Sequence, residues 1–422
     1  MKTRQKGSYY LVTAREGYTY LDDQMGFDVI GVDLMNLRRE KRVQTKYYFP
    51  FPIFCNRGKL KGKKTKEYFM ENRVQKLEAA LAKTDCDAVL VTNLKNIYYL
   101  TGFSGTEATV FISKNRRLFL TDSRYTLIAK GVVKGFDIIE TRDALAEIAK
   151  LTADDQLVKI GFDDQVSYHY FKTLEKVFVG RSLVPMTEFI EKIRMIKDAG
   201  EIETIRHACS ISDRAFLDVL DFIKPGKTSE LDVMNFLDAR MRQLGASGAS
   251  FDFIIASGER SAMPHGVASD KIIQSGETLT MDFGCYYDHY VSDMTRTIHI
   301  GQTSDEEREI YDVVLRANKA LIEAAKAGMS RIDYDRVPRQ VINDAGYGAH
   351  FTHGIGHGIG LDIHEIPYFG YSDEPIEAGM VLTDEPGIYL DGKYGVRIED
   401  DLVVTETGCE VLTLAPKELI VL

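Results

Sequence analysis

The chain has 422 residues, 44% of them apolar and 27% charged, the composition of a soluble globular protein with more than one ordinary core. Its formal charge of −10 gives no overall electrostatic case for binding nucleic acid, and no apolar run approaches the ~18 residues of a membrane helix. Five cysteines (Cys55, Cys86, Cys209, Cys285, Cys409) form no CxxC pair, and the N-terminus has no apolar signal core. Reduced thiols in a cytoplasmic protein are expected rather than a disulfide frame.

Residues 1–69 differ from the rest, with 15 Lys and Arg against 7 Asp and Glu, a surplus of +8 that leaves −18 on the other 353 residues. KLKGKKTK (59–66) and the aromatic run YYFPFPIF (47–54) sit in this stretch without a sustained period. It is expected to be a basic, poorly ordered extension; an arm for anionic partners is the alternative. Met70 is followed at once by an amphipathic helix, ENRVQKLEAALAK, and is expected to be the physiological start; the mass of the native protein tests this. DAVLV (87–91) reads as a buried strand, and ATVFIS (108–113) with RRLFLTD (116–122) as a hairpin around Lys114–Asn115. SRYTLIAKGVV reads as a helix, KIGFDD (159–164) as a strand and SYHYFKTLEKVF as a helix. Together they predict an α/β domain over 70–190, its pattern running to about Pro185. A linking helix and a long second one follow. Ile202, Ile205, Ala208, Ile211 and Phe216 recur there at helical spacing and belong to a core. Pro225–Gly226 stops that helix, and Ser229 is an N-cap for the next.

Residues 191–422 contain an internal echo. GETLTMDFGCY (276–286) and GMVLTDEPGIY (379–389) share G-x-x-L-T-x-[Asp/Glu]-x-G-x-Tyr, which predicts two related halves, each presenting a carboxylate from a strand. Asp282 and Asp293 are symmetric about the midpoint between Tyr287 and Asp288, so a hairpin would face them across the ladder with Cβ atoms ~4.5–5.5 Å apart. Glu385 and Glu399 are symmetric about Gly392, and Arg397 shares their face. Singly, each acid reads as a solvated surface group. Two facing pairs would repel unless something positive sits between them or one acid is protonated.

HGIGHGIGLDIHE (353–365) adds three histidines and four glycines. An HExxH zinc helix is excluded because position 354 is Gly, and no GK[ST] marks a phosphate loop. Asp282, Asp293, His357, Glu385 and Glu399 are hard oxygen donors plus one imidazole. That set suits one or two Mn²⁺, with Co²⁺, Zn²⁺ or Fe²⁺ as alternatives. Two such ions ~3.5–4 Å apart generate a nucleophile at neutral pH and polarise a carbonyl, the chemistry of amide or ester hydrolysis.

MDFGCYYDHYVSDMTRT, HGIGHGIGLDIHE, TDEPGIY and GVRIED, in that order, resemble the methionine aminopeptidase/prolidase/creatinase superfamily, the M24 metallopeptidases. NIYYLTGFSGTEATVFI and the SRY element resemble the N-terminal domain of its creatinase, aminopeptidase P and prolidase branch. The resemblance covers essentially all of 70–422, a usual length for the shorter members. It implies a creatinase-like α/β N-terminal domain over 70–190. It also implies an α+β pita-bread catalytic domain with a pseudo-twofold repeat over 191–422. Carried over by position, Asp282, Asp293, His357, Glu385 and Glu399 would hold two divalent ions, Mn²⁺ first, with Asp293 and Glu399 bridging. His265 would contact the substrate and assist proton movement, and His364 would steady the oxyanion. Glu385 would pass a proton to the proline nitrogen, and His353 and Arg397 would line the substrate pocket. The glycines would let the backbone pass close to the site.

All five ligands are present, unlike in creatinase or in the non-catalytic binding relatives, which are the cross-class alternative. The extra domain argues against a methionine aminopeptidase. The implied substrates are peptides with proline second, and the implied assembly is a homodimer. HEIPYFGYSDEPIEAG puts Tyr368 where prolidases of this size often carry an arginine for the proline carboxylate. The resemblance therefore implies an Xaa-Pro aminopeptidase, with an Xaa-Pro dipeptidase as the alternative.

Overall fold

Val89, Val91, Val110, Ile112 and Phe119 alternate with Ala88, Leu90, Phe111, Leu118 and Leu120 along three adjacent strands, and the two sets enter separate hydrophobic cores. That period of two makes a sheet covered on both faces. Its six strands run in the order Asp137–Glu140, Arg116–Thr121, Thr109–Ser113, Ala88–Val91, Lys159–Asp163 and Ser182–Met186. Thr109–Ser113 is antiparallel to both neighbours, and the other pairs are parallel. The hairpin expected around Lys114–Asn115 is there, with Ser113 opposite Arg116. Val74, Leu77 and Leu81 of helix Gly62–Leu81 cover one face; Leu145, Ile148 and Leu174 cover the other.

The structure, a computed structural model, describes residues 62–422, with side chains from residue 69, and the backbone of three upstream strands. Those strands, Lys2–Lys6, Tyr9–Ala14 and Gly17–Tyr20, pair antiparallel. The aromatic run at 47–54 and most of the expected arm lie outside the described residues. Helix Gly62–Leu81 begins eight residues before Met70. Among the described residues no helix is long and apolar enough to cross a membrane, and Cys86, Cys209, Cys285 and Cys409 are free thiols.

Glu191–Arg194 and Ala199–Phe222 are the expected linking and long helices. Ser229 caps Glu230–Gln243 in a capping box with Asp232, satisfying donors that the first turn leaves free. The rest of the chain is built twice. In the first half, helices Ala199–Phe222 and Glu230–Gln243 pack on Leu279, Met281, Phe283, Met294 and Ile298. In the second, Asp305–Ala324 and Arg331–Asp344 pack on Leu382, Ile388, Val396, Ile398 and Val404. The echoed segments hold matching places. Thr278–Phe283 pairs with Met294–His299, and Val381–Asp384 with Asp400–Val404. The described residues from Gly62 to Leu422 belong to one compact unit; Tyr290, Val291, Ile359, Leu361 and Val381 share a core with Val74, Leu77 and Val89.

The first acidic hairpin differs from the expected register. Its turn is Asp288–His289, with φ of 41° and 72°, and Tyr287 pairs with Tyr290. Asp282 therefore lies opposite Thr295 rather than Asp293. The slip is two residues, so both acids keep the same face. The second register is as expected: Gly387 pairs with Arg397 and Asp384 with Asp400, which places Glu385 opposite Glu399.

Candidate metal centre

Along the paired strands the even and odd positions part company. Met281, Phe283, Met294 and Ile298 enter the first-half core, whereas Thr280, Asp282, Thr295 and Thr297 face the second half. There they meet Arg397 and Glu399. Thr297 Oγ1 donates to the Arg397 carbonyl (2.8 Å), and Glu399 N donates to the Thr295 carbonyl (3.1 Å). The two halves thus close on each other through polar side chains, and the acids lie in the seam.

Oxygens of Asp282, Asp293 and Glu399 lie within 4.8 Å of one another. His357 Nδ1 faces the Gly358 carbonyl at 3.1 Å, which can only accept, so this pairing assigns the proton to Nδ1. Nε2 then presents a lone pair 3.7 Å from Asp293 Oδ2 and 3.7 Å from Glu385 Oε1. That is too long for a hydrogen bond and within the span of two ligands ~2.1 Å from one ion. All five sequence-predicted ligands are thus brought together. Among the described residues, the buried Oδ1 atoms of Asp282 and Asp293 have no hydrogen-bond partner. Buried anionic oxygens without donors, beside a neutral imidazole, fit divalent cations.

The electrostatics agree. Burial raises the Asp282, Asp293 and Glu399 carboxyls above their ordinary range, with Glu399 adding to Asp293 and Glu385 to Glu399. Burial, opposed by Arg397 and helped by Asp282, pushes Glu385 up to about 8. Burial, then His364, holds His357 down to about 4. Without cations, four carboxylates in this space cannot all be ionised.

Arg397 is buried and fully engaged. Nη2 donates to Asp282 Oδ2 (2.6 Å), Nε to Thr295 Oγ1 (3.0 Å), and Nη1 to Tyr389 Oη (2.8 Å) and the Pro264 carbonyl (3.2 Å). Thr295 Oγ1 in turn donates to Glu399 Oε2 at 2.6 Å. The Pro264 bond brings the His265 loop to the seam; His265 is exposed, within electrostatic reach of Asp282 and His364. His353 Nε2 meets Tyr389 Oη at 2.8 Å, and burial, then Arg397, holds that imidazole down to about 4. The exposed His364 ring stands edge-on to His357, 4.3 Å between centroids.

The glycines have separate uses. A Cβ on Gly356 would lie 2.4 Å from the Thr383 carbonyl, so close strand approach requires glycine there, whereas Gly354 has open space. Sequence reasoning passed over Thr383 and Tyr389, although both stand in the echo it found. Thr383 Oγ1 accepts from His357 N at 3.0 Å. It also passed over Arg296, which lies between core-facing Met294 and Ile298 on the same strand face. Fully buried, Arg296 donates to the Thr295 and Glu399 carbonyls (2.9 and 2.5 Å) and to Asp400 Oδ1 (2.8 Å). An arginine on an apolar strand face was the missed signal.

Facing acids and one imidazole in a seam between two related halves define a metal-dependent hydrolase. Residues 203–406 match Metallopeptidase family M24, and residues 73–196 match the Creatinase/Prolidase N-terminal domain. An uncharacterized peptidase, YqhT, of Bacillus subtilis is 44% identical over 353 residues, 83% of this chain and 100% of that protein. A solved Xaa-Pro dipeptidase from Bacillus anthracis superposes with a TM-score of 0.81 at 42% identity, covering 84% of this chain and 100% of that one. An X-Pro aminopeptidase from Thermotoga maritima does so at 0.77 and 40%, covering 82% and 100%. The chain belongs to the M24 metallopeptidase family, in its Xaa-Pro peptidase branch, with a creatinase-type N-terminal domain and a pita-bread catalytic domain. Peptidases of this family are dinuclear metal enzymes.

Proposed function

We propose that this chain is an Xaa-Pro aminopeptidase that removes the residue ahead of proline from peptides longer than two residues. The observation that carries the reading is the engagement of the cations at the site. Arg397 is committed to Asp282, Arg194 and Lys197 to Glu365, and half-exposed Tyr368 stands where a carboxylate-binding arginine would serve a dipeptidase. Asp282, Asp293, His357, Glu385 and Glu399 would hold two divalent ions, Mn²⁺ by preference, which would supply acidification of water and Lewis-acid polarisation of the carbonyl. His364 donates to the developing oxyanion from the rim, and Glu385 passes a proton to the proline nitrogen. His265 contacts the substrate, while His353 and Arg397, joined through Tyr389, wall the pocket.

A second reading, Xaa-Pro dipeptidase, draws on Lys95. Its half-exposed ammonium pairs with Asp362 on the His364 loop and could be turned to a substrate carboxylate. Rates on Ala-Pro, Ala-Pro-Ala-Ala and Ala-Ala-Ala-Ala with Mn²⁺-loaded enzyme decide. Faster cleavage of the longer proline peptide is expected. Cleavage of Ala-Pro alone would establish the dipeptidase, and equal rates on the control would remove the proline assignment. We further place the enzyme in the cytoplasm, as its free thiols suit, and as a homodimer. Leu127 and Ile128, 84% and 52% exposed on helix Thr126–Val132, suit an interface; light scattering on the purified protein tests it.

A further inference from the structure

Among the described residues no side chain hydrogen-bonds the His364 imidazole; it meets the centre through its edge contact with His357. Its position is therefore set by the loop that carries it. Glu365 folds that loop on itself, its Oε1 accepting from Leu361 N at 2.9 Å and Asp362 N at 3.1 Å. The fit is close enough that a Cβ on Gly360 would lie 2.7 Å from Glu365 Oε2. Two cations hold the Glu365 carboxylate from the segment joining the domains. Lys197 Nζ is 3.1 Å from Oε2, and Arg194 Nη2 pairs with Oε1. All three groups are buried. Arg194 makes two further bonds, Nη2 to Asp362 Oδ2 at 2.8 Å and Nη1 to Asn96 Oδ1 at 2.8 Å. Asn96 is fully buried in helix Leu94–Thr101 of the N-terminal domain and donates to Glu191 Oε1 at 2.8 Å.

We propose that Arg194 is a positioning residue for hydrolysis: through Glu365 it lets the N-terminal domain of the same subunit set where His364 stands. The inference rests on the reading of His364 as the oxyanion donor. Only a planar fork reaches Asn96, Asp362 and Glu365 together, so lysine at 194 keeps the charge and loses the geometry. Glu365 then keeps Lys197 as counter-charge, but the loop loses its tie to Asn96. A displacement of about 1 Å at a catalytic group costs on the order of 100-fold in rate.

Arg194→Lys is compared with wild type, alone and in a His364→Ala background. Hydrogen exchange at the Leu361 and Asp362 amides should speed up at least about tenfold, with Mn²⁺ affinity by calorimetry unchanged. On an Xaa-Pro peptide that the wild type cleaves, kcat should fall on the order of 10- to 100-fold with KM little changed. The further loss in the His364→Ala background should vanish, because the group being positioned is gone. Unchanged exchange at those amides, or the same fold-loss in both backgrounds, overturns the proposal. Should Arg194→Lys not fold, Asn96→Ala removes the Asn96–Arg194 bond, together with the Asn96–Glu191 bond, and is put through the same cycle. The exchange measurement needs no substrate, so a protein that cleaves no Xaa-Pro peptide refutes the proposed activity while Arg194's control of the loop is still decided.

Discussion

Arg397 presents two nitrogens to the first half, Nη2 to Asp282 and Nε to Thr295, and a third, Nη1, to Tyr389 of its own half, so the acids keep their places against mutual repulsion. Replacing Asp293 or Glu399 should remove what the guanidinium cannot supply. Asp293→Ala and Glu399→Ala are expected to bind Mn²⁺ at least about 100-fold more weakly and to lose activity, by calorimetry and peptide assay. A fully active Glu399→Ala enzyme would refute the dinuclear assignment. Tyr389→Phe tests the pocket wall instead. It leaves His353 Nε2 and an Arg397 N–H unpaired, a loss of about 1–3 kcal/mol. The fall in kcat/KM should be on the order of tenfold, with Mn²⁺ affinity retained. At this scale the sequence identifies the candidate ligands, because their residue types are the chemistry. Tyr389 and Arg296 are illegible as functional residues because their partners, Arg397 with His353 and the Glu399 carbonyl, come from other segments.

The two acidic hairpins show what controls legibility for an element. Gly392, at φ 70°, centres a three-residue turn, and a glycine in that place marks the symmetry axis that brings Glu385 opposite Glu399. The other turn uses Asp288 and His289 at positive φ, a conformation Asp tolerates without announcing it as glycine would, so the axis was placed one residue early. The acids stayed together only because side chains alternate with a period of two. Gly392→Ala should cost about 1–2 kcal/mol from strain alone, since open space surrounds the position, and Gly392→Asn should cost less. Urea melts of the two variants check the order; equal stability would show that the turn does not hold the register.

Across the whole molecule, charge is buried where domains and halves join. Burial would raise the Glu365 carboxyl, but Lys197 and then Arg194 overcome it and hold the group down to about 2. On acidification the unfolded chain takes up this proton first. The stabilisation is therefore complete above about pH 4.5 and disappears down to about 2, roughly 3 kcal/mol in all. Glu365→Gln should flatten that part of the acid limb, and an unchanged slope from pH 4.5 to 2 would contradict the assignment. Mn²⁺ at about 100 times its Kd should stabilise the protein by ~2.7 kcal/mol, so chelation should lower the Tm. By itself the sequence indicated several strands and helices, the internal repeat and five candidate ligands, because hydrophobic period, caps and donor chemistry are local properties of the chain. Only the tertiary structure decided the Asp282–Thr295 register, the commitment of Arg397 to Asp282, and the tie from Asn96 through Arg194 to the His364 loop. The physical reason is that register depends on backbone angles the side chains did not signal, while a buried ion pair depends on which distant residues the fold brings within ~3 Å.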